Sequence, residues 1–212
     1  ATGTVTAGTA SATQGITVSV TNVSENSAPT FTSSASFSAA ENQTAIGTVT
    51  ASDADGDSLT FSISGSEINI SSSGVLTFAT APDYETKNSY TATVTVTDGT
   101  ASATQGITVS VTNVNEAPLI SELASTIDVD ENETTVVTVS ASDPDGSSII
   151  YTLTGNDSNS LSINISSGVI TFNSPPDYET KTNYSVAVNV SDGSNITTQA
   201  LSININDINE AP

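Results

Sequence analysis

Between Ser89 and Thr97 the chain alternates: Tyr90, Ala92, Val94 and Val96 are separated by Thr91, Thr93 and Thr95. Ile107, Val109 and Val111 alternate with Thr and Ser in the same way. A period of two places one face in a core and the other in water, which predicts β-strands. Phe61 with Ile63, and Val75 with Phe78, mark shorter strands. "DADGD", "SSSG" and "TDGT" supply the turns between them. No segment carries a convincing helical period. Some seven short strands in ~90 residues predict an all-β chain built of β-sandwiches.

The pattern recurs along the chain. Thr4–Val23, "TVTAGTASATQGITVSVTNV", returns as Thr95–Val114 with Asp98 in place of Ala7. Glu41 pairs with Glu131 and Asp53 with Asp143 at a spacing of 90; Asp83 pairs with Asp177 and Asp98 with Asp192 at 94. The four extra residues fall where "SGSEINI" becomes "TGNDSNSLSINI", as expected of a loop. The predicted organisation is therefore residues 1–25 as the C-terminal strands of a truncated repeat, then repeats over 26–116 and 117–212. "NDINEAP" at the end points to a further repeat beyond it. Two strands of a sandwich are marginal alone, so completion of Ala1–Val23 by another copy or by the rest of a longer polymer is expected. Exposed Ile16, Val18 and Val20 with no partner strand would count against that.

Charge changes the picture. The chain has 23 acidic residues against two lysines, Lys87 and Lys181, for a formal net charge of −21, and no His, Cys, Met or Trp. Disulfides, the usual zinc sites and His- or Cys-dependent nucleophilic chemistry are excluded. No basic patch can follow a phosphate backbone, so nucleic acid is not an expected partner. An anionic membrane surface would repel the chain, and no apolar run reaches the ~18 residues of a spanning helix. The sequence starts in mid-pattern without a signal peptide or initiator Met, so it is expected to be a piece of a longer protein.

The acids stand at fixed places rather than scattered. In the first repeat they are Glu41, the pair Asp53 and Asp55, the pair Asp83 and Glu85 in "PDYETK", Asp98, and the linker "NVNE". In the second they are Glu131, Asp143 and Asp145, Asp177 and Glu179, Asp192, and "DINE". Hard cations such as Ca²⁺ take six to eight oxygen ligands, many of them carboxylate. In a strand, residues i and i+2 point the same way, so Asp83 and Glu85 are expected to present two carboxylates to one spot, and Asp53 and Asp55 likewise if that segment is extended.

A Glu near the first strand, then "DAD" or "DPD", "DYE", the later Asp, and the terminal "NVNEAP" or "DINEAP", in the same order twice, resemble tandem cadherin repeats of the kind found in large bacterial surface proteins. The resemblance implies seven-stranded Greek-key sandwiches set end to end, with Ca²⁺ held where one repeat meets the next. It implies a central junction of Glu41, Asp83, Glu85, Asn113, Asn115 and Glu116 from the first repeat, with the carbonyl of Val114, facing Asp143, Asp145 and Asp192 of the second. Seven of these are carboxylates. Two unit charges ~5 Å apart repel by 3 kcal/mol or so at an effective dielectric near 20, so the group needs counter-charge, and up to three Ca²⁺ would nearly balance it. Asn113 departs from the pattern, because the second repeat keeps an acid, Asp207, at that place. Upstream, Asn22, Ser24, Glu25 and Asn26 would face Asp53, Asp55 and Asp98 and hold one ion at most. Downstream, Glu131, Asp177, Glu179, Asp207, Asn209 and Glu210 would await a partner.

Other chemistries fit less well. An EF-hand loop needs Gly at position 6 and Glu at position 12, and "DADGD" is followed by Ser58 and Ser64 there. Asp83 and Glu85 as a glycosidase pair would recur as Asp177 and Glu179, and an enzyme seldom needs its site once per structural repeat. Lys87 and Lys181 are expected in salt bridges rather than isopeptide cross-links. The sequence thus predicts a non-enzymatic, calcium-stiffened spacer and adhesion segment of an extracellular or cell-surface filament, its partners being neighbouring repeats and possible self-association. The alternative is a recognition module for a glycan or partner adhesin, using loops or a sheet edge. The insertion at Asn156–Leu161 is the one visible break in repeat symmetry.

Overall fold

In the computed structural model the described residues are 2–20 and 25–209. Ser24 and Glu210, both named above as ligands, and Asn22 lie outside them. The chain divides into two compact units: Ala1–Phe37, Ala45–Thr80 and Tyr90–Val109 form one; Ser38–Thr44, Ala81–Ser89 and Ser110–Pro212 form the other.

Strands β1 (Thr2–Ala7) and β2 (Ala10–Gly15) make an antiparallel hairpin with Ala7 opposite Ala10. Gly8, at φ 61°, takes the left-handed conformation in its tight turn. Val5, Ile16, Val18 and Val20 are 76, 52, 73 and 90% exposed, and β2 stops at Gly15. No described strand covers them, the outcome named above as counting against completion of Ala1–Val23 by another copy or by the rest of a longer polymer. The single change from Ala7 to Asp98 accompanies a different turn. Asp98 Oδ1 accepts the N–H groups of Thr100 and Ala101, each at 2.6 Å, and opens a longer loop.

The first repeat runs β3 (Thr30–Phe31), β4 (Ser36–Ala40), β5 (Ala45–Thr48), β6 (Ala51–Ser52), β7 (Thr60–Ile63), β8 (Ile68–Ile70), β9 (Val75–Phe78), β10 (Ser89–Thr97) and β11 (Ser102–Thr112). The second runs β12 (Leu119–Ser121), β13 (Thr126–Asp130), β14 (Thr135–Thr138), β15 (Ser140–Ser142), β16 (Ile150–Thr154), β17 (Leu161–Ile163), β18 (Val169–Phe172), β19 (Asn183–Ser191) and β20 (Ile196–Asn206). Sheet orders repeat: β4-β11-β10-β7 with β5-β9-β8 and β3-β6, then β13-β20-β19-β16 with β14-β18-β17 and β12-β15. In each repeat the first strand run changes sheets. Thus β12 pairs antiparallel with β15, while β13 pairs parallel with β20. The second run also breaks in two. With each broken run taken as one strand, the expected seven remain.

The alternation is the core. In β10 and β11 the buried residues include Val94, Val96, Ile107, Val109 and Val111, with Thr and Ser between them. In β9 the inward residues are Leu76 and Phe78, and Val75 faces out at 46%. The second core gathers Val186, Val188, Val190, Leu201, Ile203 and Ile205 against Val139, Ile170 and Phe172. Phe78 meets Tyr90 edge-on at 5.0 Å between centroids, and Phe172 meets Tyr184 at 4.9 Å. Where the second run breaks, the Val139 N–H bonds the Gly168 carbonyl at 2.9 Å. Gly168 has φ 69°, and a Cβ there would lie 2.5 Å from the Val139 oxygen, so only glycine fits.

The insertion folds back on β19. A single 3₁₀ turn, Ser158–Ser160, brings Asp157 to Lys181 as an ion pair, and Asp157 Oδ2 accepts the Ser185 N–H at 2.8 Å. Lys181 Nζ also lies 4.4 Å from the Tyr184 ring centroid. The expected salt bridge is therefore present at Lys181. Its hydrogen bond, then that of Ser185, holds the Asp157 carboxyl below the usual carboxylate range. A depressed carboxyl contributes stability above its unfolded value and loses it as pH falls through the lower folded one. Acid melts of wild type and Asp157→Asn should therefore converge as pH drops through that window, wild type being the more stable at pH 7.

Candidate metal centre

Each repeat buries one acid at its end. Glu41 is 2% exposed and Glu131 3%. Both carboxylate oxygens of each accept backbone donors. Glu41 takes the Tyr84 N–H at 2.6 Å and the Val114 N–H at 2.7 Å; Glu131 takes Tyr178 at 3.0 Å and Ile208 at 2.8 Å. One bond reaches the "PDYET" loop and the other the linker, so this side chain sets both.

The paired acids are not in strands, and here the i, i+2 expectation is corrected. Residues 84–86 form a turn. Asp83 spends both oxygens on it, Oδ1 accepting the Thr86 N–H at 3.0 Å and Oδ2 its hydroxyl at 2.9 Å. Asp177 does the same for Thr180. The turn sends Glu85, not Asp83, toward Glu41. The segment at Asp53 also bends, since its Oδ1 accepts the Asp55 and Asp57 N–H groups at 2.9 and 3.3 Å.

Of the residues expected at the central junction, Glu41, Glu85 and Asp145 bring one carboxylate oxygen each within 4.8 Å of one another. Asn113 Nδ2 donates to Glu85 Oε1 at 2.8 Å, and the Glu116 N–H to Asp145 Oδ2 at 2.7 Å. Asn115 Nδ2 donates to Asp192 Oδ2 at 2.8 Å, and Asp192 Oδ1 accepts the Ser194 and Asn195 N–H groups at 2.6 Å each. Asp143 Oδ1 accepts the Ser147 N–H at 3.1 Å. All of these residues lie in the second compact unit.

The upstream set is arranged alike. Asn26 Nδ2 donates to Asp98 Oδ2 at 3.0 Å and the Ser27 N–H to Asp55 Oδ2 at 2.8 Å. Glu25 is exposed. Downstream, Glu131, Glu179 and Asp207 form a second trio within 4.8 Å, and Asn209 is exposed. Two residues escaped the sequence reading. Ser27 binds through its backbone and leaves no signal of type. Asn42 does leave one, because "EN" stands at both 41–42 and 131–132.

Charge and hydrogen bonding divide the acids. Asp192 is held low by the Asn195 N–H and then by Asn115, and Asp98 by the Ala101 N–H and then by Asn26. Glu85 is raised, first by lost hydration and then by Glu41, Asp145 and Asp83, against one backbone N–H that lowers it. At Glu179 a backbone N–H lowers the carboxyl, but lost hydration with Glu131, Asp207 and Asp177 outweighs it. Three carboxylate oxygens are shut off from solvent and have no hydrogen-bond partner: Asp53 Oδ2, Asp143 Oδ2 and Asp145 Oδ1. Each belongs to an acid whose other oxygen is bound by the backbone. Idle buried anionic oxygens beside clustered carboxylates, with hard donors throughout, fit Ca²⁺.

Residues 125–206 match the cadherin domain family and residues 26–112 a bacterial Ig domain family. No curated protein matches the chain. Among solved structures, human protocadherin-24 EC1-2 (form II) is similar at 24% identity and TM-score 0.62, over 86% of this chain and 100% of that one. Drosophila N-cadherin EC1-4 is similar at 22% and 0.59, over 86% and 50%. Mouse cadherin-23 EC22-24 is similar at 23% and 0.56, over 85% and 65%. The chain is thus built of cadherin-like β-sandwich repeats.

If the buried glutamate is held by its two N–H donors, Glu131→Gln should lower stability by about 2 kcal/mol in EDTA, because one buried N–H then faces an amide NH₂. Relief of repulsion with exposed Glu179 acts the other way but is screened. Urea unfolding read at the second repeat measures the balance.

Proposed function

We propose that the chain is a calcium-stiffened spacer and adhesion segment of a long extracellular surface protein. The observation that carries the reading is the pair of idle buried oxygens, Asp143 Oδ2 and Asp145 Oδ1, beside the Glu41–Glu85–Asp145 trio. Bound calcium would supply the positive charge that the junction lacks, and the idle carboxylate oxygens would be its ligands. Glu41, Glu85, Glu116 and Asp145, with Asp83 and Asn113 close by, would hold one part of it. Asn115, Asp143, Asp145 and Asp192, with the Val114 carbonyl available, would hold the rest.

The chain's own residues prepare that state. Backbone donors fix Glu41, Asp143 and Asp192, so the carboxylates are ordered without an ion. Lost hydration and then repulsion at Glu85 would disfavour the closed junction until positive charge arrives. This is linkage: a ligand that binds one arrangement better stabilises it in proportion. Affinity near 10⁻⁴ to 10⁻³ M, roughly that of extracellular calcium modules, would suit the setting. Among the described residues no helix is long and apolar enough to cross a membrane. The insertion favours no second reading, since Asp157 and Asn173 are engaged within the fold.

Thermal unfolding in millimolar CaCl₂ and in EDTA tests the proposal. Calcium should raise the Tm of wild type and leave the Asp143→Ala, Asp145→Ala double variant nearly unmoved. Glu85→Gln should melt no lower than wild type in EDTA yet gain less from calcium. Identical wild-type melts in both buffers would reduce the acids to surface charge.

A further inference from the structure

The buried glutamate is followed in both repeats by an asparagine in the left-handed region, Asn42 at φ 62° and Asn132 at φ 68°. Glycine takes that conformation at least cost and asparagine is the next most tolerant. The backbone alone therefore does not require an amide. At Asn42 the amide is used. Its Nδ2 donates to Glu116 Oε1 at 2.7 Å, joining positions 74 residues apart. Its N–H meanwhile binds the Pro82 carbonyl at 3.0 Å. Glu116 continues the connection, for its own N–H donates to Asp145 Oδ2 at 2.7 Å. Asp145 is the one member of the trio that comes from the second repeat.

We propose that Asn42 is a positioning residue. Its amide fixes the linker at Glu116, and through the Glu116 N–H it sets Asp145 against Glu41 and Glu85. A neutral donor suits this task. The Glu116 carboxylate stands in an acid-rich neighbourhood that would push it outward, and an amide holds it without a counter-ion of its own. A hydroxyl in place of the amide would be shorter, and a carboxylate would add to the repulsion. The consequence for calcium rests on the junction reading above; the positioning of Glu116 does not.

Asn42→Gly separates the two roles, because glycine keeps the left-handed turn and the N–H bond to Pro82 while losing the amide. Asn132→Gly makes the same backbone change in the other repeat. Hydrogen exchange of the Glu116 amide, followed by NMR in EDTA, is the first readout. Exchange in Asn42→Gly should be about fivefold faster at Glu116, the effect of one lost hydrogen bond, with the Tm unchanged. Asn132→Gly should leave that rate alone. In a calcium titration read at the same amide, Asn42→Gly should move the midpoint upward by a similar factor. Equal Glu116 exchange in wild type and Asn42→Gly would overturn the proposal, as would a lowered Tm with all amides accelerated together. If Asn42→Gly speeds exchange but wild-type Glu116 shows no response to calcium, the positioning role stands and the junction reading falls.

Discussion

A carboxylate taken out of water must find donors or lose its charge. Glu41 and Glu131 find theirs in backbone N–H groups from two separate stretches, the loop carrying the paired acids and the linker that ends the repeat. The strand ladders add their own tie, as the Glu41 and Glu131 N–H groups bond the carbonyls of Thr112 and Asn206, each at 3.1 Å. With these bonds made, the acid loop and the linker share one anchor, and every other junction contact is placed relative to it. Breaking the anchor would leave two buried N–H groups without acceptors, a cost larger than that of any exposed ion pair in the chain.

The arrangement that this anchor produces is ordered but electrostatically unfinished. Backbone donors favour the charged form of Asp98 and Asp192, while lost hydration and then neighbouring carboxylates disfavour it at Glu85 and Glu179. The chain has two lysines, and Lys181 is engaged with Asp157 in the insertion rather than at the junction acids. An excess of negative charge held by a rigid hydrogen-bond frame is a natural place for an ion to act as a conformational ligand. On the proposed function, its binding energy would go into selecting one arrangement rather than into creating the fold, which rests on the valine and isoleucine cores.

Much of the fold was legible because a strand writes itself in period two. Val94, Val96, Ile107, Val109 and Val111 are buried as the alternation required. The breaks in the first and second strand runs were not legible, since they come from sheet switching and from the Gly74 and Gly168 approaches to Val49 and Val139. At the site, the cadherin resemblance grouped Glu41, Glu85 and Asp145 with the other junction residues, and these three bring carboxylate oxygens within 4.8 Å of one another. The i, i+2 spacing misjudged how the pairs are presented, because Asp83 and Asp177 cap turns with Thr86 and Thr180, which a strand-based argument cannot foresee. Asn42 was hidden in plain view: its role depends on a left-handed φ and on a partner 74 residues away.

The central claim is that calcium narrows the arrangements open to consecutive repeats. The chain has no cysteine, so Thr104→Cys and Ser174→Cys, both exposed positions, can carry a pair of spin labels. Pulsed electron resonance then gives the distance distribution between the two repeats. The account predicts a narrow distribution in millimolar calcium that broadens in EDTA while both cores stay folded. Equal widths in the two buffers would contradict it.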